Sequence, residues 1–156
     1  MKKIYSFALL LLLSFSFFNC SKDFLKPYED RIIGSWRISD IDSRGWGSSR
    51  NLPFREGIFA FAEDGKLTYT NAAGRIYSGS WDIRKEYNRG NCQTDDNGNR
   101  QCDDKRVQKM QLTAVDFAAQ EIKTEYFDDI DFTNTNRMKA YIYSGSRTYV
   151  YYFIRM

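Results

Sequence analysis

The sequence predicts an all-β domain, an eight-stranded up-and-down antiparallel barrel, with a β-sandwich as the alternative. Tyr and Phe are abundant, at 11 and 12 of 156 residues, and aromatic side chains favour strands. Eight short segments show alternating or aromatic-rich patterns typical of strands, and turn sequences such as Asp64-Gly65 separate them. An up-and-down order suits a closed barrel, because closure removes the exposed edges of a sheet.

The predicted elements begin with a helical turn at residues 28–33. After it, we expect strands wherever apolar side chains recur at every second position, as at Phe59 and Phe61 or at Met138 and Ala140. The predicted strands cover residues 34–42, 56–63, 66–70, 75–86, 106–113, 120–127, 137–143 and 147–155. A Gly- and Ser-rich loop at 43–53, a turn at 71–74, a bend at 114–119 and an acidic, Asn-rich loop at 128–136 lie between them.

Residues 1–19 have the organisation of a secretory signal. Lys2 and Lys3 precede residues 4–18, which carry no charge, and the charged part of the chain begins after Asn19. This run is shorter than the roughly 20 apolar residues that a transmembrane helix needs. We therefore predict a signal peptide rather than a membrane span.

Cys20 resembles the lipid-attachment cysteine of bacterial lipoproteins, in which the signal is cut before the cysteine and the new N-terminus is acylated. Phe17 and Asn19 resemble the relaxed recognition sequence of Bacteroidota lipoproteins. Ser21-Lys22-Asp23 resembles the short charged signal that sends some of them to the cell surface. The resemblance implies an envelope protein held in the outer membrane by two or three acyl chains, facing the periplasm or the surface. An ordinary cleaved signal and an uncleaved anchor are the alternatives.

These features divide the chain into a signal at 1–19, a lipidated tether at 20–31 and a domain at 32–156. The chain has 23 basic and 20 acidic side chains without a long run of either sign, which argues against nucleic acid as a partner. It has no His, which removes the commonest general base and metal ligand and any Ser–His or Cys–His nucleophile. We therefore predict a protein that is not an enzyme and needs no cofactor or metal.

Cys92 and Cys102 are the two cysteines that remain after lipidation of Cys20. An oxidising compartment favours a disulfide between them. The intervening residues 95–99 are Asp, Asn and Gly, which form turns, so the disulfide would close the base of a long hairpin loop. A redox-active pair is the alternative, but such pairs are usually separated by two residues at the start of a helix.

Two acidic segments, residues 128–131 and 95–96, invite a calcium interpretation because each is followed by Asn residues. Both lack the distal bidentate Glu of the EF-hand pattern, and residues 128–136 also lack its glycine. We therefore predict solvated loops at both places.

The order of the motifs resembles the lipocalin superfamily. Gly34-Ser35-Trp36 looks like the Gly-x-Trp opening of that family, and Gly79-Ser80-Trp81 looks like the second such element of small bacterial lipocalin-like domains. Phe59-x-Phe61 before Asp64-Gly65 resembles their second and third strands, and residues 149–155 resemble their last strand. Together these motifs cover most of residues 32–155.

The resemblance implies a structural signature at one end of the barrel. Gly34 would let the chain turn into the first strand, and Trp36 would plug the barrel end. Arg155 occupies the family position of the arginine that stacks over this Trp, with Arg147 as a weaker candidate. Such a cation–π contact contributes about 0.5–2 kcal/mol.

The barrel interior is the candidate ligand site, because eight strands enclose space for side chains or for one small ligand. Either large side chains fill this interior, or a gap near the open end admits a ligand. Trp46, on its Gly-rich loop, is either part of a lid or an ordinary surface aromatic. The candidate ligand-binding residues are Phe59, Phe61, Tyr69, Tyr77, Trp81 and Met110, with Leu67, Leu112 and Ile122 as further inward-pointing residues.

Two functional hypotheses follow. In the first, a membrane-anchored envelope lipoprotein binds a small apolar or amphipathic molecule by burial, with one or two polar groups setting its orientation. In the second, the barrel is filled and its outer surface contacts another envelope protein as an interaction or inhibitor module.

Overall fold

The computed structural model describes residues 26–88, 92–94, 97–98 and 100–156. The predicted signal, Cys20 and Ser21-Lys22-Asp23 lie outside these residues, as do Asp95, Asp96 and Asn99. In the described part of the chain, no helix has the length and apolar character needed to cross a membrane.

The described residues form one short helix and eleven strands. The helix α1 spans Tyr28–Ile32. The strands are β1 (Gly34–Gly45), β2 (Ile58–Phe61), β3 (Lys66–Thr70), β4 (Ile76–Asn88), β5 (Cys92–Thr94), β6 (Arg100–Cys102), β7 (Lys105–Asp116), β8 (Glu121–Phe127), β9 (Asp129–Asn134), β10 (Arg137–Ser144) and β11 (Arg147–Arg155).

The prediction of an all-β fold is confirmed, but the sheet is not closed into the predicted eight-stranded barrel. Nine antiparallel strands follow the order β8-β7-β4-β3-β2-β1-β11-β10-β9 within the described residues, so β8 and β9 are the two ends of the sheet. β5 and β6 form a separate hairpin closed by the predicted Cys92–Cys102 disulfide, which is present.

Asp128 explains why the sheet has nine strands and an opening. Its backbone N–H donates to the Tyr141 carbonyl oxygen over 2.8 Å, and its carboxylate accepts the Tyr143 N–H over 2.7 Å. The chain therefore leaves its pairing with β7 at Phe127 and begins to pair with β10 at Asp129. The predicted acidic loop at 128–136 is wrong, since most of this segment is β9.

The sheet curls until its distant strands meet across one core. The Phe127 ring on β8 lies 5.1 Å from the Tyr151 ring and 6.4 Å from the Phe153 ring, both on β11. Near the opening, the Gln108 N–H of β7 donates to the Asp129 carboxylate of β9 over 3.1 Å. The inward faces of the nine strands consequently enclose a single hydrophobic core.

The connections between strands lie at two ends of the curled sheet. The lower end holds α1 and the turns at 62–65 and 135–136. The upper end holds the segment 46–57, which we call the upper loop, and the turns at 71–75, 117–120 and 145–146.

Trp36 and Arg155 close the lower end. Trp36 is fully buried, and its indole N–H donates to the Ile32 carbonyl oxygen over 2.7 Å. The Arg155 guanidinium lies 4.4 Å from the centre of the Trp36 ring and donates to the Ile33 carbonyl oxygen over 2.7 Å. Gly34 has φ +116°, and a Cβ atom there would lie 2.9 Å from the Arg155 Nη1 atom, so both conformation and space favour glycine.

Helix α1 crosses the predicted boundary between tether and domain. Arg31 and Ile32 are buried, and the Arg31 guanidinium lies 4.3 Å from the centre of the Phe132 ring. The Tyr28 ring packs against the same Phe132 ring at 5.2 Å. The packed part of the chain therefore includes Tyr28, within the segment predicted as tether.

Candidate functional site

The aromatic residues predicted to bind a ligand lie together in the core and contact one another. The rings of Phe59 and Tyr69 are 4.8 Å apart, those of Tyr69 and Tyr77 are 5.4 Å apart, and Phe61 stacks on Phe59 at 6.1 Å. Met110 is fully buried in the same core. These contacts occupy much of the interior, for which the sequence left both a packed core and a ligand pocket as alternatives.

Trp81 packs at the edge of this cluster, near the lower end. It is half-buried, its indole N–H donates to the Ala62 carbonyl oxygen over 3.0 Å, and its ring meets that of Phe61 edge-on at 5.8 Å. It lines an open surface groove of about 620 Å³ together with Glu63 and Arg155. Trp81 is thus a lower-end residue, separate from the chamber described below.

The prediction that Ile122 points inward is wrong, since Ile122 is 69% exposed on the outer face of β8. Phe127 on the same strand is fully buried, and its position five residues later places it on the face opposite to Ile122. Because side chains alternate along a strand, residues 121, 123 and 125 share the inward face with Phe127. The strand therefore turns Glu121, Lys123 and Glu125 toward the interior and leaves Ile122 outside.

Glu125 is the most deeply buried of these charges, with 3% of its surface exposed. Both of its carboxylate oxygens lie 2.6 Å from Arg50 Nη2, and one also accepts the Tyr126 backbone N–H over 3.0 Å. Arg50 belongs to the upper loop, and its backbone N–H donates to the Tyr149 hydroxyl over 2.8 Å. The upper loop is thus fastened to the interior through a partly buried ion pair.

Phe54 is the second side chain that the upper loop sends into the interior. It is fully buried, and its ring meets those of Phe59 and Tyr69 edge-on at 5.3 and 4.9 Å. Trp46, at the start of the same loop, is 88% exposed. The inserted aromatic of this loop is therefore Phe54, and Trp46 lies on the surface.

Two buried tyrosines bring their hydroxyls to the same region. Tyr69 donates to the Glu56 carbonyl oxygen over 2.7 Å, and burial raises the pKa of Tyr69 to about 12. The Tyr151 hydroxyl is buried and has no hydrogen-bond partner in the described structure. Burial, together with the negative charge of Glu125, raises the pKa of Tyr151 above its ordinary range, and Arg50 opposes this shift.

A second charged group lies on the inward face nearer the rim. Lys123 Nζ is 2.7 Å from the Glu121 carboxylate, and the Tyr77 hydroxyl donates to the same carboxylate over 2.7 Å. These two hydrogen bonds, with Lys123 the larger influence, lower the pKa of Glu121. Arg75 lies 3.5 Å from Glu121 and 3.7 Å from Asp116. The upper interior therefore has charged side chains, namely Glu121, Lys123 and Glu125, above the aromatic rings of the core. We call this region the upper chamber, and the rings of Phe59, Tyr69 and Tyr77 form its aromatic floor.

Burial of the Glu125 carboxylate is costly, and a buried ion pair adds little stability over well-packed apolar residues. Polar groups that break the local pattern of a core are concentrated at functional sites. In the described residues, no group of three or more Cys, Asp or Glu side chains is arranged to hold a metal ion. The chamber offers the buried Glu125 carboxylate, the more exposed carboxylates of Glu121 and Asp116, tyrosine hydroxyls and aromatic rings, which are groups that form ion pairs, hydrogen bonds and ring contacts.

Comparisons with protein-family models, with curated proteins and with solved structures found no match. The resemblances to lipoproteins and to lipocalins therefore stay predictions.

Proposed function

We propose that this protein is a membrane-anchored envelope lipoprotein whose curled sheet acts as a lipocalin-like barrel and binds a small amphipathic molecule in the upper chamber. The observation that carries the proposal is Glu125, a buried carboxylate beneath a loop and close to the Tyr151 hydroxyl, which has no hydrogen-bond partner among the described residues. Ligand sites combine apolar walls with a few polar groups that orient the ligand. The upper chamber has both.

The strand order supports the barrel. β8 and β9 follow one another from the upper end to the lower end and are separated only by Asp128. β8 pairs with β7, whereas β9 pairs with β10. The two ends of the sheet are thus joined covalently through one residue. In this proposal β8 and β9 act together as the strand that closes the barrel.

The upper loop supports a chamber that opens. Between Arg50 and Glu56, its hydrogen bonds to the sheet run through side chains, namely the Arg50 contacts and the Tyr69 hydroxyl bond to Glu56. A loop held in this way can separate from the sheet without breaking a strand ladder. Its departure would uncover the Phe59 and Tyr69 rings that Phe54 covers.

Attachment to the membrane rests on the N-terminal segment. Acylated Cys20 would hold the protein in the outer membrane through two or three chains, so the folded domain needs no membrane-binding surface of its own.

Native mass spectrometry tests the proposed carrier function. The full chain carrying Cys20→Ser, which prevents acylation, would be recovered from the periplasm of the source organism and measured before and after denaturation. The proposal expects a reproducible added mass of small-molecule size that disappears on denaturation. A bare mass from the native envelope would contradict it, provided that circular dichroism shows the β-fold.

A second candidate function is a protein-interaction or inhibitor module, and an apolar group on the outer face favours it. Val115 and Ile122 are cross-strand partners that both point outward, and Ile76 and Phe117 are exposed near them. A photo-crosslinking residue at Ile122, compared with one at exposed Thr68, tests this function in intact cells. One reproducible adduct from position 122 alone would support it, and adducts from neither position would contradict it.

A further inference from the structure

We propose that Arg50 and Phe54 fill the ligand site of the upper chamber as a tethered occupant, that is, as a part of the chain that a ligand displaces. The ligand is a small molecule with an ammonium or guanidinium group on an aromatic or apolar body. This inference rests on the proposed function and deepens it. The cation of the ligand would replace the Arg50 guanidinium on Glu125. Its apolar body would replace the Phe54 ring.

The sign of the ligand charge follows from which charges are fixed in the sheet. Glu125 belongs to β8, whereas its partner Arg50 belongs to the upper loop. When the loop leaves, Glu125 keeps only the backbone N–H of Tyr126 as a hydrogen-bond donor among its described contacts. A buried carboxylate without a cation is strongly unfavourable, so a cationic ligand is favoured and an anionic ligand is repelled.

The remaining charges of the chamber reinforce this selection. Glu121 and Asp116 are strand residues on the inward side, and Lys123 and Arg75 are the cations beside them. With Glu125 included, three carboxylates face two cations once Arg50 has left. The open chamber is therefore net negative.

The ligand body follows from the surroundings of Phe54. This ring lies between the edges or faces of Phe59 and Tyr69, at centroid distances of 5.3 and 4.9 Å. Aromatic groups prefer such edge-to-face arrangements, so an aromatic ligand would pack on Phe59 and Tyr69 as the Phe54 ring does. An aliphatic body of similar size would bury the same two rings without the edge-to-face geometry.

Two hydroxyls complete the site. Tyr149 accepts the Arg50 backbone N–H in the closed arrangement and loses this donor when the loop leaves. Tyr151 has a buried hydroxyl without a partner in the described structure. A hydroxyl oxygen accepts hydrogen bonds from an ammonium or guanidinium group, so the cationic end of the ligand would find acceptors besides Glu125.

Competition between the loop and the ligand determines the apparent affinity. A ligand that binds only the open arrangement has its dissociation constant raised by the reciprocal of the open fraction. Weakening the loop contacts should therefore tighten ligand binding, although no ligand contact is added. This behaviour separates a tethered occupant from a loop that simply lines a pocket.

Three probes of matched size test the inference by isothermal titration calorimetry: 4-phenylbutylamine, 4-phenylbutanol and 4-phenylbutyrate. The protein is the full chain carrying Cys20→Ser. We expect the amine to bind at least about tenfold more tightly than the acid, and Arg50→Met to tighten amine binding by a further factor of about ten or more. Arg55→Gln, an exposed residue of the same loop, serves as the matched control and should leave affinity unchanged.

Glu125→Gln keeps the shape of the side chain and should abolish the preference for the amine. Hydrogen exchange of the protein carrying only Cys20→Ser provides a readout that needs no substitution in the upper chamber. Amine binding should increase exchange in residues 46–57 because the loop is displaced. Melting curves would show that each variant is folded.

The outcomes separate the inference from the proposed function. Equal or tighter binding of the acid, a preference that survives Glu125→Gln, or unchanged loop exchange overturns the tethered-occupant inference and leaves a ligand-binding barrel in place. Failure of all three probes to bind either the folded unsubstituted protein or the Arg50→Met variant, together with a bare native mass, overturns both.

Discussion

The ion pair between Arg50 and Glu125 allows a quantitative prediction of the free energy of unfolding, because its two partners are buried to different extents. The Glu125 side chain is 2% exposed, whereas that of Arg50 is 35% exposed. Removing either partner leaves the other with an unpaired charge, and the cost depends on how much water can reach that charge. The two single substitutions should therefore differ in their effect on the free energy of unfolding.

Arg50→Met keeps the aliphatic stem and removes the guanidinium, which leaves the buried carboxylate without a cation. Breaking a buried pair costs about 3–5 kcal/mol, and the partial exposure of the Arg50 side chain places this substitution at the lower limit, about 3 kcal/mol. Glu125→Gln leaves a guanidinium that water hydrates, so we expect a loss of about 1 kcal/mol. The double variant should lose about 1–2 kcal/mol, because no unpaired charge remains.

Urea unfolding followed by tryptophan fluorescence measures the three free energies. The double-mutant cycle should give a coupling of about 2–3 kcal/mol between the two positions. Equal losses for both single variants, or a larger loss for Glu125→Gln, would refute the assignment of Glu125 as the buried member that depends on its partner.

Three further predictions concern other parts of the fold. Arg155→Ala removes the cation–π contact with Trp36 and the hydrogen bonds to the carbonyl oxygens of the lower end, and should lower the free energy of unfolding by about 3 kcal/mol, with partial recovery in Arg155→Lys. Replacing Cys92 and Cys102 by Ser opens a short loop and should cost at most about 3 kcal/mol in urea unfolding, with ring-current-shifted core signals in the proton NMR spectrum unchanged. Because the pKa of Tyr69 is raised from 10.0 to about 12, its contribution is complete below pH 10 and is lost as the pH rises toward 12. Tyr69→Phe should therefore retain a larger share of its neutral-pH stability at pH 11, and an identical alkaline loss in both proteins would contradict this.

Local turn chemistry made several elements predictable from the sequence. Asp64-Gly65 places the start of β3 at Lys66, and Ser144-Gly145 places the start of β11 at Arg147, as the structure has them. In β2, the alternation of two large aromatics with smaller residues correctly gives the buried face. These features depend on neighbours along the chain, which the sequence displays directly.

The face of β8 could not be predicted in the same way. Ile122 is the obvious apolar residue of a segment with three inward charges, so the pattern favours the opposite face. The observed face is set by Phe127 and by the partner that Glu125 finds in Arg50, 75 residues earlier in the chain. Tertiary pairing here overrides the hydrophobic alternation.

The site was predictable only in part for the same reason. Phe59, Tyr69 and Tyr77 form its aromatic floor and were among the predicted ligand-binding residues. Phe54 and Arg50 were missed because they lie in a loop, where no periodicity indicates which side chains turn inward. The available signal was Phe54 itself, which follows Leu52 and Pro53 in a loop that is otherwise mostly polar.

An amide ¹H–¹⁵N NMR titration of the full chain carrying Cys20→Ser with 4-phenylbutylamine locates the ligand in the protein. If the ligand binds in the upper chamber, we expect saturable shifts at residues 50–57, at Glu125 and at residues 149–151, with Trp36 and the β5–β6 hairpin unaffected. Shifts confined to the outer face around Ile76 and Ile122, or no saturable shifts at all, would contradict it.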